Sequence, residues 1–456
     1  MSYIFHLRKQ DLPILPIDTG RYGTPEMLNI FEEENRLQKL LDVEATLALA
    51  HAEVGNIPKI DAEKIASMAS IKYVKVERVK AIEKEIKHDI ASLVRALSEL
   101  CGSSGAYVHL GATSYDIVDT ANALQLKDAI AIIEQKLLAF KTILQKQALK
   151  HKQTIMIGRT HGQHALPIPL GFKFAVWGYE INRHIERLND CKKRVLVGKI
   201  SGAVGTQAGL GENAEQIQEL VMKRLDLRAA EISTQIVQRD RYAELVCLYG
   251  EIASSLDNFS TEIRELQRPE IGELFESFEA KRQVGSSTMP HKQNPETCER
   301  VCGLARIVRS LVVPALEDMV TWHERDLTQS SAERFVLPES NILLDYILNL
   351  MTNIVANLRV DEQRMLQNLS LTQGRAMSES VMMALTKKSV NRQEAHELLR
   401  KLAIQSALEK RDFKEILLKD KYVSSKLNAK EIDVALDPKN YLGTAIKQVE
   451  RFAKSA

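Results

Sequence analysis

The stretch GATSYDIVDTANALQLKDAIAIIEQKLLAFKTILQKQALKHKQTIMIG, residues 111–158, holds no glycine or proline between its two terminal glycines. Within it Ile130, Ile133, Leu137, Phe140 and Leu144 recur at alternating spacings of three and four, the pattern of a helix that buries one seam against its neighbours. The spacing predicts a single helix over about 113–150, which at 1.5 Å per residue is roughly 55 Å long. Most of a helix's stability comes from packing an apolar face, so a rod of this length implies a bundle whose members pack along their length, other subunits included.

The rest of the chain agrees with an all-α reading. Glycine (21) and proline (12) are sparse among 456 residues, aromatics make up 5%, and 27% of residues are charged, which favours long amphipathic helices over a sandwich or barrel. Thr24-Pro25-Glu26 marks a helix start, with a capping hydroxyl, proline at the first position and an acid in the first turn. That helix is expected to run to Val54, before Gly55-Asn56-Ile57-Pro58. Further helices are expected at about 60–70, 76–100, 169–197, 212–225, 236–267, 296–319 and 338–368, with shorter ones over 379–455 and loops at 158–169, 198–211 and 283–295. We therefore expect three helical domains: an N-terminal one (1–110), a central long-helix bundle (111–368) and a C-terminal one (369–456).

Sixty-two basic against sixty acidic residues leave a formal charge of +2, which argues against a chain built to coat nucleic acid or an anionic membrane. The first twenty residues carry charge and proline where a signal peptide needs an apolar core, and no run approaches a membrane span. Five scattered cysteines read as reduced thiols of a cytoplasmic protein.

Two glycine motifs fail on context. GLGENA (209–214) matches a dinucleotide fingerprint but follows VGTQA rather than an apolar strand, and LVGKISG (196–202) lacks the spacing and hydroxyl of a phosphate loop. His161 and His164 in GRTHGQHALP lie in a glycine- and proline-flanked segment read as a loop; with no carboxylate at zincin spacing, metal binding is disfavoured, and structural and catalytic roles both stay open. Thr113 and Ser114 open the long helix, where they serve equally as caps or as part of an anion site at the helix N-terminus. GSSTMPHKQNP (285–295) combines hydroxyls, free amides, Lys292 and Asn294 ahead of a helix whose first position is expected at Pro295, a combination suited to grasping a dicarboxylate.

This last segment resembles the signature of the fumarase/aspartase superfamily, whose members eliminate fumarate from substituted succinates. RYGTPEM (21–27), KHDIASL (87–93), HLGATSYDIVDT (109–120), GRTHGQHALP (158–167), STQIVQRDR (233–241) and WHERDLTQSSAER (322–334) make the chain similar to the adenylosuccinate lyase family within it. Gln293 stands where that family usually carries an arginine. The resemblance implies a cofactor-free and metal-free lyase acting on a small nucleotide substrate, assembled as a homotetramer with composite active sites. The signature loop alone also fits argininosuccinate lyase, aspartase or carboxymuconate cycloisomerase.

By resemblance, Ser286 would be the general base and His161 the general acid, with His109 and Glu299 orienting them. Lys292, Asn294, Thr113 and Ser114 would hold the succinyl carboxylates, and Gln235 would position the substrate. Arg21, Tyr22, Arg325, Ser330 and Arg334 would take the phosphate, with His88 and Asp89 near the nucleotide. Thr160, Ser287, Met289 and Arg300 complete the expected binding set. The substrate carries about four negative charges, so a nearly neutral chain must concentrate cations locally.

Reach adds an argument of its own. The ten residues from His151 to Thr160 extend at most about 35 Å, less than the roughly 55 Å rod they follow. Ser114 and His161 of one chain are therefore not expected to meet, and a site using both must draw on different subunits.

Overall fold

The computed structural model describes residues 15–277, 288, 289 and 291–455. The chain divides into two compact units, one of residues 1–137, 184–256 and 303–349, the other of 138–183, 257–302 and 350–456. The long helices contribute a portion to each.

The first unit begins with α1 (Pro25–Phe31), α2 (Glu33–Glu53), α3 (Lys59–Met68), α4 (Val76–Ile86) and α5 (Asp89–Cys101). The expected single helix over 24–54 is broken at Glu32, whose backbone is extended. Asn35 and Gln125 both donate side-chain amides to the Ile30 carbonyl beside the break, at 2.8 and 2.7 Å, so the interruption leaves no buried acceptor unpaired. Lys87 takes a left-handed conformation after α4 and His88 caps α5, which divides the expected 76–100 segment.

The long rod is α6 (Ser114–Lys150), 37 residues without interruption. Ile130, Ile133, Leu137, Phe140 and Leu144 are all fully buried, each worth about 1.5–3 kcal/mol of apolar burial. In the first unit Thr24 donates to Asp345 at 2.5 Å, and Lys136 of α6 meets Asp345 at 2.5 Å and Glu26 at 2.7 Å, so α1 and the rod are tied to one buried carboxylate.

The expected loop at 158–169 is instead a hairpin in the second unit, β1 (Ile155–Thr160) against β2 (Gln163–Pro169). It is followed by α7 (Leu170–Val195), α8 (Ala214–Leu225), α9 (Asp240–Gln267), α10 (Glu296–Ser310), α11 (Val312–Glu317) and α12 (Thr328–Ala356). The helix expected from about 338 is α12, and Pro338 sits inside it. Ser340 and Asn341 both donate to the Leu337 carbonyl there, at 3.2 and 2.8 Å. The helix starts ten residues earlier, where Asp326 accepts the Thr328 amide at 2.8 Å.

Shorter helices fill 362–453 in the second unit around a core that includes Phe413, Leu417 and Ile432. Elsewhere in this unit Gly178 leaves room for Phe452, since a Cβ would sit 1.9 Å from its ring. Among the described residues no helix is long and apolar enough to cross a membrane.

Candidate active site

The expected site residues divide between the units. His88, Asp89, Ser114, Arg325, Ser330 and Arg334 gather in the first unit around a cavity of about 420 Å³. Their placement follows from local sequence. His88 and Asp89 start α5, where the His88 Nδ1 accepts the Ala91 amide at 3.2 Å and leaves the ring fixed at the helix end. Asp89 in turn accepts from Arg334 at 2.9 Å, although the two are 245 residues apart in sequence. Ser330 and Arg334 stand one helical turn apart on α12. Tyr115 donates to Ser330 at 2.8 Å and offers its ring face to Arg325, whose guanidinium lies 3.7 Å from the centroid. Arg325 donates to Gln235 at 2.8 Å, and Gln235 to the Ala203 carbonyl at 3.0 Å, which draws Gln235 to the same cluster.

Beneath the cavity Arg239 is almost fully buried between Asp119, which it contacts through two bonds of 2.9 Å, and Glu333. Burial, aided by the nearby Asp119 and Asp318, pushes the Glu333 carboxyl up to about 7 against the pull of Arg239. Burial likewise raises Asp318 to about 6. Three carboxylates around one guanidinium in a low-dielectric setting cannot all stay ionised cheaply.

The start of α6 is held by its own charges. Asp116 accepts the Thr113 amide at 2.8 Å, the Ser201 amide at 2.8 Å and the Gly202 amide at 3.0 Å, and pairs with the fully buried Lys199. Lys199 of LVGKISG is thus a structural counter-ion rather than a phosphate-loop lysine. The backbone of Gly209 in GLGENA packs against Gly111, in the turn before α6. A Cβ on Gly111, which has φ +68°, would lie 2.5 Å from the Gly209 carbonyl oxygen, so both approach and conformation require glycine there.

His109 precedes this turn with φ 65° and meets the buried Glu44 at 2.6 Å. Burial opposes its charged form, but the Glu44 carboxylate, by charge and hydrogen bond, and Asp116 outweigh that and raise its pKa. His51 braces the same loop, with Nε2 2.9 Å from the Leu110 carbonyl and Nδ1 3.0 Å from the Asn56 amide. Arg21 and Tyr22 pair with each other, Nε to Oη 3.4 Å, and do not line the cavity; nor do Thr113 and His109.

In the second unit Thr160 and Gln163 pair across the hairpin, which makes His161 and Gly162 its two-residue turn. Both have positive φ, 54° and 71°, as the favoured tight hairpin turn demands. His161 is exposed at that tip, beside exposed Thr160. The base is rigid: Arg159 forks onto the buried Glu273 at 2.8 and 2.7 Å, and Asn368 adds a bond of 2.7 Å to the same carboxylate. Burial, with Arg159 nearby, lowers the His164 pKa.

Lys292 and Glu299 are exposed, Met289 is 41% exposed, and Arg300 pairs with Glu296 at 2.6 Å. Just past Asn294, Glu276 accepts the Thr297 and Cys298 amides at 3.0 and 2.9 Å and so caps α10 from a distant segment, a partner the local sequence does not reveal. Ser286 and Ser287 lie outside the described residues. Sequence reasoning also missed Arg36, Glu44, Tyr115 and Arg239. Tyr115 and Arg239 stand inside quoted motifs and were within reach, whereas Arg36 and Glu44 sit mid-helix in α2 with no local signal.

Chemically, the first unit offers guanidinium and hydroxyl donors around a cavity suited to a phosphorylated ligand, and the second offers an imidazole on a rigid hairpin for proton transfer. Comparison with known proteins shows the family. Residues 20–309 match a family model described as lyase, and residues 374–452 match one described as adenylosuccinate lyase C-terminus. The adenylosuccinate lyase of Pyrococcus abyssi is 52% identical over 439 residues, 96% of this chain and 97% of that protein. That of Methanocaldococcus jannaschii is 48% identical over 447 residues, 98% and 96% of the two chains. Among solved structures, a fumarate lyase from Mesorhizobium sp. BNC1 superposes with a TM-score of 0.88 at 32% identity, covering 95% of this chain and 98% of that one. A 3-carboxy-cis,cis-muconate lactonizing enzyme from Pseudomonas putida gives 0.88 at 35%, covering 96% and 98%. The chain belongs to the adenylosuccinate lyase family of the fumarase/aspartase superfamily.

Proposed function

We propose a division of labour for the reaction of this lyase of purine nucleotide biosynthesis, the elimination of fumarate from adenylosuccinate to give AMP. The same chemistry releases fumarate from succinylaminoimidazole carboxamide ribotide. In our reading Ser286 removes the proton from the succinyl carbon, the electron pair forms the carbon–carbon double bond as the carbon–nitrogen bond breaks, and His161 protonates the departing nitrogen. Lys292, Asn294, Thr113 and Ser114 hold the succinyl carboxylates, where charge develops in the transition state. His109 and Glu299 orient the pair. Arg21, Tyr22, Arg325, Ser330 and Arg334 take the phosphate, His88 and Asp89 border the nucleotide, and Gln235, Thr160, Ser287, Met289 and Arg300 line the remainder.

The observation that carries this reading is the convergence of Ser114, Arg325, Ser330 and Arg334 with His88 and Asp89 on one cavity. It is tested by mixing the protein with each purine substrate and following fumarate release. Release from a non-nucleotide succinate alone would leave the superfamily chemistry standing and remove the nucleotide assignment.

We further read the enzyme as a cytoplasmic homotetramer with composite sites, built from the three domains 1–110, 111–368 and 369–456. The unbroken 37 residues of α6 favour shared sites. So do the exposed Val313, Val320, Trp322, Leu327 and Phe335, an apolar series of the kind that subunits cover. The C-terminal boundary is favoured by the separate family model starting at residue 374, and the cytoplasm by five free cysteines. Mixing an inactive Ser114→Ala chain with an inactive His161→Ala chain is expected to restore turnover through hybrid assemblies. Fully active, stable monomers on dilution would end the composite reading.

A further inference from the structure

The cavity of the first unit has a guanidinium that no part of the reading above uses. Arg36, on α2, lines it together with Ser114, Arg325, Ser330 and Arg334. Among the described residues its guanidinium makes no hydrogen bond and no ion pair.

The neighbouring carboxylates are already engaged. Asp89 spends one oxygen on Arg334, at 2.9 Å, and the other on the Ile90 amide, at 2.8 Å. Glu33 is taken by Lys80 at 2.5 Å. Of the other acids around the cavity, Glu333 is committed to Arg239, while Glu83 and Lys87, one turn apart, offset each other in charge. Arg325 meets the ring of Tyr115 and the amide of Gln235, both neutral. Among the described residues two guanidiniums, Arg36 and Arg325, therefore line the cavity without an ion pair to a carboxylate. A phosphate monoester carries about −1.5 to −2 at neutral pH and matches that deficit.

We propose that Arg36 is a further phosphate-binding residue, closing the phosphate subsite opposite Arg334. Burial, and next the charge of Arg334, lower the Arg36 pKa against the nearby Asp89 and Glu33; a dianion beside the two guanidiniums favours their charged forms and offsets both effects. Two forks converging on one phosphate also give more directional recognition than a lysine does. The inference rests on the nucleotide reading above and adds to it a residue that no motif identified.

The test compares adenylosuccinate with its dephosphorylated nucleoside in the full chain. Arg36→Gln is expected to raise KM for the nucleotide tenfold or more with a much smaller change in kcat. Its penalty on kcat/KM for the nucleoside is expected to be at least fivefold smaller. Titration with inorganic phosphate is expected to show a matching loss of affinity, partly recovered in Arg36→Lys. Equal penalties on the two substrates, or phosphate affinity identical to wild type, would make Arg36 a packing residue and overturn the proposal. If Arg36→Gln fails to fold, the phosphate titration of Arg36→Lys decides, because a point charge replaces a fork and unchanged affinity sinks the idea. A wild-type protein that releases no fumarate from adenylosuccinate would count against the reaction, while the phosphate titration would still judge Arg36.

Discussion

Arg334 and His161 show how differently the two units hold the side chains proposed for the site. Arg334 is fixed by Asp89, its neighbour Ser330 by Tyr115, and Arg325 by both Tyr115 and Gln235, so the cavity of the first unit is shaped by bonds among its own residues. His161 stands exposed at the tip of a hairpin, and Lys292 and Glu299 are exposed on another segment of the second unit. What is rigid in the second unit is the support: the Arg159–Glu273–Asn368 cluster under β1, and Glu276 at the start of α10. A binding surface that is pre-organised costs little to order when ligand arrives. An exposed acid on a stiff hairpin is well placed but gains full effect only once water is excluded around it.

The largest effect that sharpens this contrast is His161→Ala. Turnover is expected to fall by at least about two to three orders of magnitude, the scale for a lost general acid, with only a modest change in KM. Because the side chain is exposed, unfolding stability is expected to move by no more than about 0.5 kcal/mol. Steady-state fumarate release with a thermal melt checks both, and near-normal turnover would remove His161 from the chemistry.

Next comes Arg239→Ala. Removing the guanidinium strands Asp119 and Glu333 in a dry interior, and losses of roughly 3–5 kcal/mol are usual for one partner of a buried pair. A lower unfolding temperature together with weaker nucleotide affinity is expected. An unchanged melt would show that the first unit does not depend on this network, which would break the comparison at its firmest point.

The smallest effect concerns pH. Glu44 raises the folded pKa of His109 above its ordinary value of 6.5, so the charged pair stabilises the fold fully below about that pH. This contribution is lost as pH rises through the higher folded value. Glu44→Gln is expected to flatten that decline in urea midpoints followed across neutral pH. If variant and wild type keep parallel profiles, the pair does not set the charge of His109.

Much of the cavity lining was legible in sequence where neighbours in the chain stay neighbours in the fold. The segment 322–334 carries Arg325, Ser330 and Arg334 within ten positions, and one helix with its preceding turn brings all three to the cavity. The hairpin was legible too but was read as a loop. His161-Gly162 is a turn dipeptide between IMIGRT and QHALPIP, and histidine before glycine masked the positive-φ signal more often given by asparagine. The break at Glu32 escapes a local reading because Gln125, from a distant helix, pairs the carbonyl beside it, and Pro338 sits inside α12 instead of at a helix start.

Periodicity and the scarcity of breakers were enough to specify an all-α chain and its 37-residue rod, because helix formation is governed by neighbours three and four residues apart. Which charges face one another was decided only in three dimensions. Arg334 finds Asp89 across 245 positions, Arg239 finds Asp119 across 120, and Arg36 is left facing a cavity, outcomes of packing that no local window contains. Coulomb energies depend on separation and burial, and neither exists until the helices have docked.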